Sequence, residues 1–168
     1  RVLREGRVVY PMRRGGVVYE RREFSVTPQG GDRIDFWCCD ALCLPFRAGT
    51  LAAVSALNVL DCVSSPLKLL QEVELLLGTD GVLAVSCPYD WSPTATPVES
   101  WLGGHSQRGF EQGDSAKILE AILTPEALPA SLERLKMIDS RPNIPWSVRV
   151  HSRSYAEYRV HLLLARKT

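Results

Sequence analysis

No apolar run in the 168 residues approaches the roughly 20 that a membrane helix needs. The arginine-rich start also lacks the apolar stretch of a secretory signal. An excess of one charge is missing too. Lys plus Arg number 20 against 19 for Asp plus Glu, a net charge of +1. That balance gives no field to steer the protein onto nucleic acid or an anionic membrane, so neither is expected as a partner. The five cysteines, Cys38, Cys39, Cys43, Cys62 and Cys87, are odd in number and form no C-x-x-C pair. Cys38 and Cys39 would point to opposite faces of a strand. A disulfide framework and a tetrahedral zinc site are both disfavoured; the expectation is reduced thiols and no metal. Nowhere does the chain read G-x-G, because Gly15-Gly16, Gly30-Gly31 and Gly103-Gly104 are adjacent pairs in turn settings. The phosphate-binding fingerprint of a nicotinamide oxidoreductase is therefore absent. Internal repeats and low-complexity segments are lacking, and residue 1 is Arg rather than Met.

What is present fits one globular domain with a sizeable core: 18.7 kDa, 45% hydrophobic and 23% charged. The expected location is cytoplasmic. Residues 7–26 read as a hairpin, with β-prone runs around Val8-Val9-Tyr10 and Val17-Val18-Tyr19 separated by Gly15-Gly16. Pro11 then belongs on an edge strand or at a bulge. Seven arginines fall in the first 22 residues, and solvated edge-strand charge accounts for them. After a turn at Gln29-Gly30-Gly31-Asp32 comes a short apolar run over 34–39, ending in Asp40.

The run over 51–60, LAAVSALNVL, predicts a buried parallel strand and its following loop. Ser64, Ser65 and Pro66 then signal the start of a helix with Leu67, Leu70, Val73 and Leu77 at helical spacing, closed by Gly78. Asp80-Gly81 turns the chain into a second buried strand over 82–87 that stops at Pro88. This is a βαβ unit, so the class is α/β. The stretch 88–113, rich in Pro, Gly, Ser and Trp, is too long for an ordinary connection and is expected to be functional. A helix over 114–123, a further turn disturbed by Pro129, and last strands over 135–140 and 160–165 complete the reading.

The order Asp40-Ala41-Leu42-Cys43-Leu44-Pro45-Phe46, Asn58-Val59-Leu60, the helix, Gly78-Thr79-Asp80-Gly81 and a strand ending at Pro88 resembles the second half of class I S-adenosylmethionine-dependent methyltransferases. Pro88-Tyr89-Asp90-Trp91, Thr96-Pro97 and Trp101-Leu102-Gly103-Gly104 are more closely similar to the methyltransferase domain at the C-terminus of ovothiol-pathway proteins, the mercaptohistidine N-methyltransferases, and to its stand-alone relatives. The resemblance covers nearly the whole chain. It implies a Rossmann-like methyltransferase sheet with an N-terminal β-hairpin, a single domain over 1–168, a hairpin at 7–26 and a substrate-side loop at 88–113. It also implies S-adenosylmethionine as cofactor, with Asp40 and Ala41 on the adenine and Asn58, Val59 and Leu60 along the methionine part. In the family a glycine-rich turn after the first strand holds the rest of the cofactor. No such turn occurs here, so the expectation is a partial domain lacking the first two strands, inactive unless the missing part completes it.

Methyl transfer from a sulfonium is an in-line displacement, for which a protein supplies alignment and exclusion of water. The candidates on the substrate side lie beyond the strand ending at Cys87. Trp91 and Trp101, flanking Gly103 and Gly104, suit a lid over a flat or cationic acceptor, and equally a loop anchor. Tyr89 and His105 are the candidate catalytic groups, His105 through its near-neutral pKa; an ordinary loop histidine is the competing reading. Arg149, near Trp146 and His151, is a candidate for an acceptor carboxylate, with a solvated basic face as its alternative. His161 is assigned to the last strand. The leading function is methyl transfer to a small-molecule acceptor, an imidazole, a thiol or a related group. The alternative is a non-catalytic remnant of the fold that binds or stabilises a partner, a second copy or a paralogue, through exposed strand edges.

Overall fold

In the computed structural model the described residues are 5–27, 30–128 and 132–168. They form two compact units, one holding the described residues up to 38 together with 146–158, the other the described residues of 39–145 together with 159–168. Gln29 and Pro129, named above in turns, lie outside the described residues.

The first, the hairpin unit, holds β1 (Arg7–Gly15) and β2 (Val18–Ser25), an antiparallel pair with Tyr10 opposite Arg22 and Pro11 opposite Arg21. Gly16 turns between them at φ 52°. With only two strands every position is an edge, which is why Pro11 is tolerated. The arginines pair along the ribbon with Glu20 and Glu23, Arg7 to Glu23 at 3.0 Å and Arg21 to Glu23 at 3.3 Å. Both are exposed pairs that add little stability. The apolar run over 34–39 follows an irregular course. It adopts no strand, and Phe36 and Trp37 are exposed at 78% and 61%. A strand exists only through a neighbour's ladder of hydrogen bonds, and among the described residues no strand ladder includes this run.

The second, the sheet unit, is built on a mixed four-stranded sheet in the order β3-β4-β6-β5. β3 (Leu51–Leu57) runs parallel to β4 (Leu77–Cys87), with Leu57 opposite Ser86. Between them lies α1 (Pro66–Leu76). A second helix, α2 (Ser115–Ile122), follows the long loop and is capped by Asp114, whose Oδ1 accepts from Ala116 N at 2.9 Å. β5 (Leu135–His151) and β6 (Ser154–Lys167) follow, their residues 146–151 and 154–158 counting with the hairpin unit, and β6 pairs antiparallel with β4. The fold class is α/β. Both final strands run far beyond their expected spans. β5 carries Pro142 and Pro145, and its place at the sheet edge is where a missing N–H is harmless.

The core joins the buried side of α1 (Leu69, Leu70, Val73) to Leu83 and Val85 of β4, Leu119 and Ile122 of α2, Leu135 and Leu163. The buried face of α1 is rotated from the expected one: Leu69 and Leu76 belong to it, Leu67 is half-buried and Leu77 opens β4. Gly78 does not close the helix, since the C-cap residue is Leu77 in extended geometry. Instead the buried Lys167 Nζ donates to the carbonyls of Glu74 and, at 2.6 Å, Leu77. A cation there also suits the negative end of the helix dipole. β3, expected to be buried, is an edge strand with Leu57 48% exposed. Among the described residues no helix is long and apolar enough to cross a membrane.

Candidate functional site

The carboxyl ends of β3 and β4 lie side by side because the strands are parallel, and each leaves the sheet through a non-glycine residue at positive φ. Asn58 follows β3 at φ 55°, and Tyr89 leaves β4 at φ 57°. Such conformations cost on the order of 1–3 kcal/mol and persist only where the surroundings enforce them. Ser86 enforces the first: Asn58 N donates to its carbonyl at 2.8 Å, and its hydroxyl donates to Asn58 Oδ1 at 2.8 Å. Asp61 braces the second. Its side chain is buried, and Oδ2 accepts from Asp90 N at 2.9 Å. The fully buried Thr96 hydroxyl donates to Val63 O at 2.7 Å, beside the Asp61 carbonyl at 3.2 Å. Burial and the nearby Asp61 carboxylate raise the Cys87 pKa, keeping it a thiol.

In the loop over 88–113 the rings of Trp91 and Trp101 stack at 6.1 Å and 16°, and Tyr89 tilts against Trp91 at 6.4 Å. Both indole N–H groups bond within the loop and its flank, Trp91 to Ser115 Oγ at 3.0 Å and Trp101 to Thr96 O at 2.8 Å. Gly103 is buried at φ 89°, and a Cβ there would sit 2.6 Å from Gly113 O. At Gly104 a Cβ would press Trp91 Cδ1 at 3.0 Å. The pair therefore lets the loop close on itself and on the indole. His105 is exposed with Nδ1 3.2 Å from Gly103 O, at a cavity of about 300 Å³ lined also by Ser106, Gln107 and Gln112.

Tyr89 has a partner on the last strand. His161 on β6 is buried, and its Nδ1 lies 2.8 Å from the Tyr89 hydroxyl. Its Nε2 lies 2.9 Å from Ser140 Oγ on β5, and the Ser140 hydroxyl donates to Glu120 Oε1 of α2 at 2.6 Å. Burial lowers the His161 pKa, against the pull of Glu120 and Asp114. Burial raises that of Tyr89, and Cys87, Glu120, Asp114 and Asp61 add to the rise.

No family model matches this sequence, and no curated protein does. Among solved structures the chain is similar to a SAM-dependent methyltransferase from Methanosarcina mazei, at 16% identity and TM-score 0.48, covering 76% of this chain and 64% of that one. It is similar to the 4+2 cyclase SpnF at 18% identity and TM-score 0.46, covering 81% and 56%. The CurJ carbon methyltransferase gives 18% identity and TM-score 0.41, covering 77% and 34%. The chain thus spans less than two thirds of the length of each. The α/β assignment rests on the strand order itself.

The candidates divide between the units. Asn58, Val59, Tyr89, Trp91, Trp101, Gly103, Gly104 and His105 all belong to the sheet unit, as do Asp40 and Ala41. Asp40 is exposed and its Oδ1 accepts from Leu42 N at 2.9 Å, tightening its own turn. Leu60 is fully buried in the core, so only its backbone is available to a ligand. Arg149 belongs to the hairpin unit, where its Nε donates to the Tyr155 hydroxyl at 2.8 Å and its guanidinium lies 5.0 Å over that ring. It shares a cavity of about 540 Å³ with Tyr10, Met12, Tyr19 and His151. Sequence reasoning missed Asp61, Ser86, His161, Ser140 and Glu120. A polar residue inside an apolar strand, as in Val160-His161-Leu162, was the available signal.

Proposed function

We propose that this chain takes part in S-adenosylmethionine-dependent methyl transfer to a small-molecule acceptor, an imidazole, a thiol or a related nucleophile. The observation that carries the reading is the pair of positive-φ exits, Asn58 and Tyr89, at the neighbouring carboxyl ends of two parallel strands. Open α/β sheets bind ligands there, and strain of this kind collects at such sites.

The residues present fit the cofactor in part. The exposed carboxylate of Asp40 can accept from an adenine amino group, and the Ala41 amide adjoins it. Asn58, Val59 and the Leu60 backbone would follow the methionine part. Bound S-adenosylmethionine supplies an electrophilic methyl group on a sulfonium. The chain's own residues hold the acceptor in line and exclude water, tasks suited to the Tyr89, Trp91 and Trp101 rings. The kinship with mercaptohistidine N-methyltransferases belongs to the same proposal and rests on the loop motifs alone.

The second reading, a non-catalytic partner of this fold, is favoured by one observation: both indole N–H donors already bond internally. Calorimetric titration with S-adenosylmethionine tests the first. Binding is expected to be weak, because no glycine-rich turn is present, and Asp40→Ala should weaken it by roughly 1–3 kcal/mol, the range for a hydrogen bond to a charged group. Equal affinity of wild type and variant would overturn the assignment.

A further inference from the structure

The row from Tyr89 through His161 and Ser140 to Glu120 has a direction, and its last member sets it. The Ser140 hydroxyl donates to the Glu120 Oε1 at 2.6 Å. With its one proton committed, Ser140 Oγ accepts from His161 Nε2–H at 2.9 Å. A neutral imidazole that donates through Nε2 accepts through Nδ1, which takes the Tyr89 hydroxyl proton at 2.8 Å. Every hydrogen bond then points from the strand exit toward Glu120. The middle of the row is covered, with His161 6% exposed, while Tyr89 at one end is half-buried and the Glu120 side chain at the other is 36% exposed.

We infer that this row is a proton path from the Tyr89 hydroxyl to solvent at Glu120, through which an acceptor carrying an N–H or S–H group gives up its proton. The inference rests on the methyl-transfer reading for the identity of the acceptor, and on the row alone for the path. The step balances without a further reactant. The acceptor proton passes to the Tyr89 oxygen as the Tyr89 proton passes to His161 Nδ1. The Nε2 proton passes to Ser140 Oγ, the Ser140 proton passes to the Glu120 carboxylate, and Glu120 releases it to water. The electron pair of the broken N–H or S–H bond stays on the acceptor atom and becomes its nucleophile. His161 changes tautomer and ends neutral, as its depressed pKa favours. Tyr89, whose pKa is raised by burial and by Cys87, Glu120, Asp114 and Asp61, never has to persist as a phenolate. His161, Ser140 and Glu120 are positioning residues that act through Tyr89.

The path is testable without cofactor or turnover, by nitrogen and hydroxyl-proton NMR on the folded chain. The His161 ring should be in the Nε2–H form, and an Nδ1–H ring would overturn the direction. Ser140→Ala should slow exchange of the Tyr89 hydroxyl proton with water by roughly a hundredfold, the lower end of what a positioned proton-transfer group contributes. Ser140→Thr, which keeps a hydroxyl, should restore the rate. Unchanged exchange in Ser140→Ala, or equally slow exchange in both variants, would overturn the path. If Ser140→Ala does not fold, Glu120→Gln carries the same test, because an amide accepts the bond but cannot take the proton onward. The methyl-transfer reading fails separately, by absence of S-adenosylmethionine binding, and that result leaves these exchange rates untouched.

Discussion

The buried carboxylate of Asp61, just beyond the exit of β3, holds the backbone N–H of Asp90, just beyond the exit of β4, at 2.9 Å. One side chain thus ties together the two loops that leave the parallel strands. Asp61→Ala should destabilise the fold by about 1.5–3 kcal/mol, the value of a hydrogen bond to a charged group. Urea denaturation reads the loss, and a change below about 0.5 kcal/mol would make the contact incidental.

Trp101 separates anchor from lid. It is stacked on Trp91 and bonded to Thr96 O, and neither contact involves a ligand. Trp101 is half-buried, so Trp101→Ala should cost about 1–3 kcal/mol, less than emptying a fully buried Trp site, with loss of the near-ultraviolet dichroism of the indole pair. Unaltered stability would return Trp101 to the role of a lid.

Lys167 closes α1 from another element, its ammonium donating to the Glu74 and Leu77 carbonyls. Lys167→Met keeps the stem and removes the donors, leaving covered carbonyls unpaired at about 1–3 kcal/mol. Hydrogen exchange should rise first in the last turn of α1. Faster exchange confined to β6 would contradict this capping role.

Acid should weaken the fold through His161. Its folded pKa lies below the unperturbed 6.5, chiefly because the ring is buried. Between the folded pKa and 6.5 the unfolded chain therefore binds more protons, so stability is complete above 6.5 and falls as the pH drops below it. Denaturation midpoints measured across that window should decline with acidity, and His161→Gln should flatten the slope. A wild-type slope of opposite sign would contradict the burial of a neutral ring.

The βαβ unit was legible because its signals are local: PLKLLQEVELL carries a helical face, and VLAVSC is an apolar run of strand length. The length of β5 was not, since Pro142 and Pro145 argue against a strand until its edge position is known. The 34–39 run is apolar in sequence, yet among the described residues no strand ladder includes it. Within the site, the loop aromatics announced themselves by residue type. The row behind Tyr89 did not, because His161 lies 72 positions from its tyrosine and 21 from its serine, distances that only the sheet order closes.

The claim that the strand exits form a cofactor site is tested most directly by backbone amide NMR during titration with S-adenosylmethionine. The amides of Ala41, Asn58, Val59, Leu60 and Tyr89 should shift together and saturate along one binding curve. Absence of shifts at the Asn58 and Tyr89 exits, with or without shifts elsewhere, would contradict it.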